Sequence, residues 1–188
     1  TGDRSLRKRP MGRVTTPLKA MGASIKVSAG QVAPLNIEPV IRLDGIKYTM
    51  PIASSQVKSA ILLAGMYASE PTIIEENVLT RDHTERMLAE FGYPLERNRS
   101  MIKLDPKGSL QATNLTIPGD FSSAAFFIVG ASISTGSKIR LGNVGINPTR
   151  IGLLEILQMM GAKIEIKNRR NIAGEPIADL VVESSQLR

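Results

Sequence analysis

The sequence contains two kinds of segment that each recur about every 70 residues. The first is an amphipathic helical pattern ending in glycine, and its copies end at Gly22, Gly92 and Gly161, which lie 70 and 69 positions apart. The second is a serine pair followed by apolar and small residues, beginning at Ser54 and again, 68 positions later, at Ser122. Self-similarity at this spacing indicates repeated supersecondary units that bury faces against one another.

Each repeat predicts the same order of elements. The glycines are expected to close their helices at positive φ, and the alternating runs that follow, Ser24–Val27 and Lys163–Lys167, are predicted strands. The serine-led helices are apolar nearly all round, so we expect them to be buried. A unit therefore holds a buried helix, a strand, an amphipathic helix and a strand pair. The predicted class is α/β or α+β, with one unit's end, a complete second unit and most of a third, and a boundary between units near residues 118–120.

The net charge of +7 calls for an anionic partner. Basic residues are dispersed apart from residues 4–9 and 167–170, and no aromatic side chains are interleaved with them, which favours small anions over single-stranded nucleic acid. The absence of cysteine excludes thiol catalysis, and a single histidine argues against a zinc site. No apolar run approaches the roughly 20 residues that span a bilayer. A cytoplasmic protein is expected, and because the chain begins without Met, a fragment or processed product.

The residues Ser54, Ser55 and Gln56 stand at the start of one apolar helix. Hydroxyl and amide groups beside free backbone N–H groups at the positive end of a helix dipole can bind an anion such as phosphate. The same residues also fit a plain N-cap, which the pattern alone favours. At the second copy, we expect Asp120 to be the cap, and its carboxylate would repel phosphate.

Arg81 lies just before an amphipathic helix, where its guanidinium could bind an anion in a bidentate manner. Thr80 or Asp82 can cap that helix, and the pattern alone favours capping. His83 is expected to be structural, because a lone histidine more often is.

Two further segments are candidates. Arg9 precedes Pro10, which favours an extended backbone and sets Arg9 apart from the neighbouring basic residues, a run that is usually solvated. Residues 142–149 have the look of a glycine-rich loop but lack the Gly-Lys-Ser/Thr ending of a P-loop. We interpret this segment as structural, with Asn147–Thr149 as a turn and helix start.

Several of these segments together resemble the family of 5-enolpyruvylshikimate-3-phosphate synthases. The sequences of Gln56–Ala60 and of Arg81–Glu85 are similar to those of the bacterial class II forms, which include glyphosate-tolerant enzymes. The resemblance covers essentially the whole chain. The segments that carry it are Arg9–Arg13, Met50–Ala60, Thr80–Glu85, Pro118–Ala124 and Asn147–Arg150.

The resemblance implies a fold of two domains, each with three βαβαββ units around parallel buried helices, in an inside-out barrel. The active site of such enzymes is the cleft between the domains. Residues 1–118 would form part of the domain that binds shikimate 3-phosphate, and residues 119–188 would begin the second domain. The chain would then be an internal fragment of the transferase.

The resemblance also implies roles for individual residues. Ser54 and Ser55 would hold the 3-phosphate group of shikimate 3-phosphate, and Arg81 would be a further ligand of this substrate. Gln56 would lie beneath the shikimate ring and also touch phosphoenolpyruvate, and Arg9 would clamp phosphoenolpyruvate. The family's acid–base groups have no counterpart in the chain, so no catalytic residue and no turnover are expected from it alone. The implied partners are the two small anionic substrates, with no cofactor, metal, nucleic acid or membrane, in a monomeric enzyme of aromatic amino-acid biosynthesis.

Three rival interpretations remain. An enolpyruvyl transferase acting on UDP-N-acetylglucosamine shares the fold but departs from the motifs at Ser54–Gln56 and Arg81–Glu85. An RNA-binding module related to RNA 3′-phosphate cyclase could use Arg4–Arg9 and would show a steep salt dependence of binding, although aromatic platforms are lacking. A purely structural fragment would bind nothing and would self-associate through an exposed apolar face.

Overall fold

The computed structural model describes residues 2–188. Its helices are a 3-10 helix at Leu6–Lys8 and α1 Gly12–Ala20, α2 Ser55–Gly65, α3 His83–Glu90, α4 Phe121–Ile133 and α5 Gly152–Met159. Its strands are β1 Ser24–Val27, β2 Leu35–Glu38, β3 Lys47–Met50, β4 Thr72–Glu76, β5 Leu95–Asn98, β6 Met101–Leu104, β7 Lys138–Gly145, β8 Lys163–Ile172 and β9 Glu175–Glu183. None of the helices in this part of the chain is both long and apolar enough to cross a membrane.

The order of the elements confirms the predicted repeat and the α/β class. The run β3, α2, β4, α3, β5, β6 is one complete βαβαββ unit. Before it stand α1, β1 and β2, which form the end of a preceding unit. After it come α4, β7, α5, β8 and β9, and an isolated parallel bridge between Gly119 and Val144 stands where the first strand of that unit would be.

Three helices end at the glycines that mark the repeat. The φ angles of Gly22, Gly92 and Gly161 are 91°, 70° and 90°, and each glycine follows the end of α1, α3 or α5 by two residues. Residues other than glycine adopt this backbone conformation only at an energetic cost. The prediction that these glycines close their helices at positive φ is confirmed.

The first compact unit comprises the chain up to Thr80 together with Gly92–Gln111. Its four-stranded sheet has the order β3-β4-β6-β5, in which β3 and β4 are parallel and the other pairs antiparallel. Helix α2 packs against α1 and β4. The core of this unit is aliphatic, with fully buried side chains at Ile61, Leu62, Ile74, Ile102 and Leu104.

The second compact unit comprises Arg81–Phe91 and Ala112–Arg188, and so includes α3. Its antiparallel sheet has the order β7-β9-β8, and α4 and α5 pack on this sheet. Ile128 of α4 and Leu154 of α5 pack in one hydrophobic core with Leu180 and Val182 of β9. The predicted domain boundary at residue 118 stays a prediction.

Helix α4 departs from the expectation that it is buried all round. Phe121, Ala124 and Ile128 lie in the core, whereas Phe126 and Phe127 are 81% and 62% exposed. The reason is that, among the described residues of its unit, the sheet covers only one face of the helix.

The glycine-rich segment is likewise not the loop that its composition suggested. Gly142–Gly145 belongs to β7, which has an irregularity in its pairing with β9 between Leu141 and Val144. Asn143 has φ of 55° at this bulge. A bulge explains why small residues and asparagine occur within a strand.

Candidate functional site

The N-terminus of α2 carries three of the predicted ligand residues. Ser54 is the N-cap, and its Oγ accepts a hydrogen bond from the backbone N–H of Val57 at 3.4 Å. Ser55 and Gln56 follow in the first turn, where Gln56 is exposed. A distance of 3.4 Å is long for a hydrogen bond to oxygen, so the cap is weak. The arrangement leaves a half-buried hydroxyl pair at the positive end of a helix of eleven residues, which suits an anionic oxygen.

A carboxylate holds the segment that leads to Arg81. Glu76 is the last residue of β4, and its Oε1 accepts hydrogen bonds from both the backbone N–H and the hydroxyl of Thr80, at 3.1 and 2.5 Å. The N-cap of α3 is Asp82, whose side chain makes no capping hydrogen bond. The predicted N-cap position of Asp82 is confirmed, but neither side chain caps the helix, because the Thr80 hydroxyl binds Glu76 and the Asp82 carboxylate binds Arg86 and Asn147.

The other oxygen of Glu76 binds a lysine that the sequence interpretation did not single out. Lys58 Nζ lies 3.2 Å from Glu76 Oε2, and the two side chains are 0% and 2% exposed. The signal in the sequence was a lysine inside an otherwise apolar helix. Since charged side chains are almost never fully buried unless they are paired, a lysine in a helix expected to be buried indicated that some charged partner exists, but not that the partner is Glu76.

The loops that carry Ser54 and Thr80 leave the same edge of the first unit's sheet. Met50 and Glu76 are paired in register at the ends of the parallel strands β3 and β4. The amide of Asn77, the first residue after β4, donates a hydrogen bond to the carbonyl oxygen of Met50, the last residue of β3, at 3.5 Å. The carboxyl ends of parallel strands are the usual place for ligands in α/β proteins.

Arg9 and Arg81 are both exposed. Arg9 follows the 3-10 helix with φ of −72° and ψ of 129°, the extended conformation that Pro10 predicts. It lies in the first unit, shortly before α1, which packs against α2. Arg81 is the first residue of the second unit. The roles of Arg9, Ser54, Ser55, Gln56 and Arg81 as ligands stay predictions.

In the second unit, buried polar groups fix the start of α3 just after Arg81. Asp82 Oδ1 accepts hydrogen bonds from Arg86 Nε at 2.9 Å and from Asn147 Nδ2 at 2.8 Å. The neighbouring Asp82 carboxylate raises the pKa of Arg86. Asn147 is 1% exposed, and its Oδ1 accepts a hydrogen bond from the backbone N–H of Thr149, which confirms the predicted turn.

Glu175 joins the same polar cluster from the sheet. Its Oε2 accepts a hydrogen bond from Asn147 Nδ2 at 3.2 Å, and its Oε1 lies 2.7 Å from His83 Nδ1. The guanidinium of Arg86 donates to the carbonyl oxygen of Gly174 at 2.9 Å. These contacts occupy His83 Nδ1 and Arg86 within the unit, in keeping with a structural interpretation of His83.

The second serine pair is arranged differently from the first. Asp120 is the N-cap of α4 and accepts hydrogen bonds from the backbone N–H and hydroxyl of Ser123 at 2.9 and 3.1 Å. The backbone N–H of Ser123 lowers the pKa of Asp120, and Arg150 lies 3.3 Å from the carboxylate. This confirms that Asp120 caps α4, and a carboxylate stands where an anion would otherwise bind. Among residues 2–188, no cluster of three or more acidic or histidine side chains is placed to hold a metal ion.

A sequence model of the family described as EPSP synthase (3-phosphoshikimate 1-carboxyvinyltransferase) matches residues 1–188. Curated relatives named 3-phosphoshikimate 1-carboxyvinyltransferase from Methylococcus capsulatus and Alkalilimnicola ehrlichii are 55% and 52% identical over 188 residues. These matches cover 100% of this chain but only 43% and 42% of the relatives.

Solved structures agree with the sequence matches. An EPSP synthase from Acinetobacter baumannii superimposes with a TM-score of 0.86 at 49% identity, covering 97% of this chain and 41% of that one. The enolpyruvyl transferase NikO from Streptomyces tendae superimposes with a TM-score of 0.73 at 14% identity, covering 96% and 44%, which shows a shared fold. The chain spans less than half the length of these relatives, and it belongs to the EPSP synthase (3-phosphoshikimate 1-carboxyvinyltransferase) family.

Proposed function

We propose that this chain supplies part of the substrate site of an enzyme that transfers the enolpyruvyl group of phosphoenolpyruvate to the 5-hydroxyl of shikimate 3-phosphate. The observation that carries the proposal is the common sheet edge from which the loops to Ser54 and to Thr80 depart. Membership of the family supports it. The product of the transfer retains the 3-phosphate, and the phosphate of phosphoenolpyruvate is released.

The 3-phosphate group of shikimate 3-phosphate would bind at the N-terminus of α2. Ser54 and Ser55 would donate hydroxyl hydrogen bonds there, and the helix dipole favours the phosphate charge. Arg81 would add a charge-assisted hydrogen bond to the same substrate. Gln56, exposed in the first turn of α2, would contact the shikimate ring and reach phosphoenolpyruvate.

Arg9 would bind phosphoenolpyruvate. Its guanidinium is exposed, and a planar fork of donors suits the carboxylate or phosphate of that substrate. The backbone of Arg9 is extended, as Pro10 favours, and so differs from the backbone of the 3-10 helix before it. The RNA-binding alternative has no comparable observation in its favour.

The reaction requires a proton on the methylene carbon of phosphoenolpyruvate and addition of the 5-hydroxyl to the adjacent carbon. The resulting tetrahedral ketal then loses phosphate from that carbon and a proton from its methyl group, which restores the double bond of the enolpyruvyl group. General acid–base groups are needed for these proton transfers. The chain would contribute substrate binding and charge neutralisation instead, so it would have no turnover alone, and the acid–base groups would come from parts of the enzyme that correspond to the rest of the relatives.

The remaining expectations belong to the same proposal. Residues 1–118 would lie in the domain that binds shikimate 3-phosphate, and residues 119–188 would begin a second domain. The complete enzyme would act as a cytoplasmic monomer in aromatic amino-acid biosynthesis, without a cofactor.

The test is a titration of the chain with shikimate 3-phosphate, followed by amide NMR, with Arg81→Ala as the variant. We expect saturable shifts at Ser54–Gln56 that need a higher ligand concentration in the variant. A folded chain that gives no saturable response would contradict the proposal, as would an equal response of the two proteins.

A further inference from the structure

We propose that Lys58, Glu76 and Thr80 form a positioning relay that sets the affinity of this site for phosphorylated ligands by fixing the residue before Arg81. The inference rests on the proposed function, because it concerns the same shikimate 3-phosphate site. None of the three residues needs to touch the ligand. They would act through Arg81 and through the first turn of α2.

The two oxygens of Glu76 have separate partners. Oε2 lies 3.2 Å from Lys58 Nζ, and Oε1 accepts two hydrogen bonds from Thr80, one from the backbone and one from the hydroxyl. The ion pair is removed from solvent. A buried carboxylate is stabilised by an opposite charge and by hydrogen bonds. Lys58 therefore stabilises the Glu76 side chain in this position, and Glu76 holds Thr80 through two hydrogen bonds.

The same lysine is fixed to the predicted phosphate-binding turn. Lys58 lies one helical turn after Ser54, and its backbone N–H donates to the Ser54 carbonyl oxygen at 3.1 Å. Its side chain then reaches Glu76 at the end of β4. The relay therefore connects the α2 turn that carries Ser54, Ser55 and Gln56 with the chain that enters Arg81.

The relay holds the last residue of an exposed loop, Thr80. Asn77, Val78 and Leu79 are exposed, whereas Thr80 is half-buried and bound to Glu76. Loops without such contacts are the mobile parts of a protein. An arginine that follows a mobile loop must be ordered when a ligand binds, and this ordering reduces affinity. Fixing Thr80 lowers that cost for Arg81.

The hydroxyl of Thr80 allows a test that leaves the ion pair untouched. Removing Lys58 or Glu76 could prevent folding, since either change leaves a buried charge without its partner. Thr80→Val keeps the branched shape and removes only the hydroxyl donor. Thr80→Ser restores that donor and is the conservative rescue variant.

The experiment is the titration of the chain with shikimate 3-phosphate for the wild type, Thr80→Val, Thr80→Ser and Arg81→Ala. We expect Thr80→Val to raise Kd by about tenfold, which corresponds to the cost of ordering a further side chain when the ligand binds, and Thr80→Ser to stay within about twofold. The matched control is Thr49→Val, which removes a hydroxyl bonded to Glu75 at 2.8 Å on the same sheet. This control should leave Kd unchanged.

The outcomes separate the relay from the proposed function. If Thr80→Val binds as tightly as the wild type while Arg81→Ala binds more weakly, the relay is wrong and the proposed function stands. Equal weakening in Thr80→Val and Thr80→Ser would also overturn the relay, because the hydroxyl would not be the cause. If the wild type does not bind, or Arg81→Ala binds unchanged, the proposed function fails and the relay fails with it.

Discussion

The ammonium group of Lys58 and the carboxylate of Glu76 lie 3.2 Å apart with both side chains removed from solvent. One residue earlier on the same strand, Glu75 pairs with Lys47 at 2.9 Å, but the lysine of that pair is largely exposed. The two pairs have similar distances and differ in burial. Loss of one partner should therefore change the free energy of unfolding much more in the buried pair, because solvent and salt screen an exposed pair far more than a buried one.

Replacing Lys58 with methionine should strongly destabilise the first unit. The change keeps a long apolar side chain but leaves the Glu76 carboxylate buried without its counter-charge. Removing one partner of a buried ion pair costs about 3–5 kcal/mol of unfolding free energy. Urea denaturation followed by circular dichroism measures this loss. Lys47→Met is the matched control and should have a much smaller effect, and equal losses in the two variants would show that burial does not matter here.

The two serine-pair helices should respond differently to loss of their caps. Asp120→Ala removes two hydrogen bonds of 2.9 and 3.1 Å and should cost about 1 kcal/mol of stability. Ser54→Ala removes only a bond of 3.4 Å, so its cost should be smaller. Thermal unfolding of both variants gives the comparison.

For the affinity for shikimate 3-phosphate, a change at Ser54 should have a larger effect than a change at Asp120. Ser54→Ala should weaken binding of shikimate 3-phosphate, whereas Asp120→Ser, which keeps a capping oxygen, should leave it unchanged. If Ser54→Ala lost as much stability as Asp120→Ala and bound the substrate normally, Ser54 would be only a cap.

Asp179 should make the second unit sensitive to acid. The side-chain amide of Asn168, together with the Arg140 guanidinium and the backbone N–H of Asn143, holds the pKa of Asp179 well below its ordinary value of 3.8. The folded state then binds a proton less readily than the unfolded state. The stability that Asp179 contributes is thus complete above the unfolded pKa and is lost as pH falls through the folded pKa.

Urea denaturation at several pH values tests this linkage. Between about pH 5 and pH 2, the unfolding free energy of the wild type should fall more steeply than that of Asp179→Asn. Glu165→Gln is the control, since Glu165 forms an exposed pair with Lys167 on β8. Parallel pH profiles for the wild type and Asp179→Asn would refute the account.

Asn147 should tolerate a negative charge poorly. Its amide donates to the carboxylates of both Asp82 and Glu175, so Asn147→Asp removes both hydrogen bonds and adds a third carboxylate in a buried position. We expect a loss of about 3–5 kcal/mol at neutral pH, comparable to an uncompensated buried charge, that becomes smaller as pH falls. Asn147→Ala should lose less, about 1–3 kcal/mol. Denaturant unfolding measures the loss in each variant, and Asn98→Asp, at an exposed position, is the control. A smaller loss of stability in Asn147→Asp than in Asn147→Ala would contradict the prediction.

The elements that follow from local patterns were predictable from the sequence. The helix-closing glycines Gly22, Gly92 and Gly161 depend on a backbone angle that one residue type adopts readily, and the cap at Asp120 depends on contacts within one helical turn. The order of elements in the βαβαββ unit was also predictable, because the same sequence pattern recurs about every 70 residues.

The contacts between distant segments were not predictable. Lys58 and Glu76 are eighteen residues apart, and Asn147 and Asp82 are sixty-five residues apart, so no periodicity relates them. The side chains of Thr80 and Asp82 make no capping hydrogen bond to α3, because the Thr80 hydroxyl binds Glu76 and the Asp82 carboxylate binds Arg86 and Asn147. The prediction that α4 is buried all round failed for a related reason. A sequence shows that a face of a helix is apolar, but it does not show which element covers that face.

A chimera tests whether this chain supplies its part of the substrate site in a complete transferase. Residues 1–188 would replace the matching segment of the Methylococcus capsulatus relative, with which they share 55% identity, and phosphate release from phosphoenolpyruvate would be measured with shikimate 3-phosphate present. We expect turnover that Arg81→Ala impairs through the KM for shikimate 3-phosphate and Arg9→Ala through the KM for phosphoenolpyruvate. A folded chimera without phosphate release, or one whose KM values neither variant changes, would contradict the account.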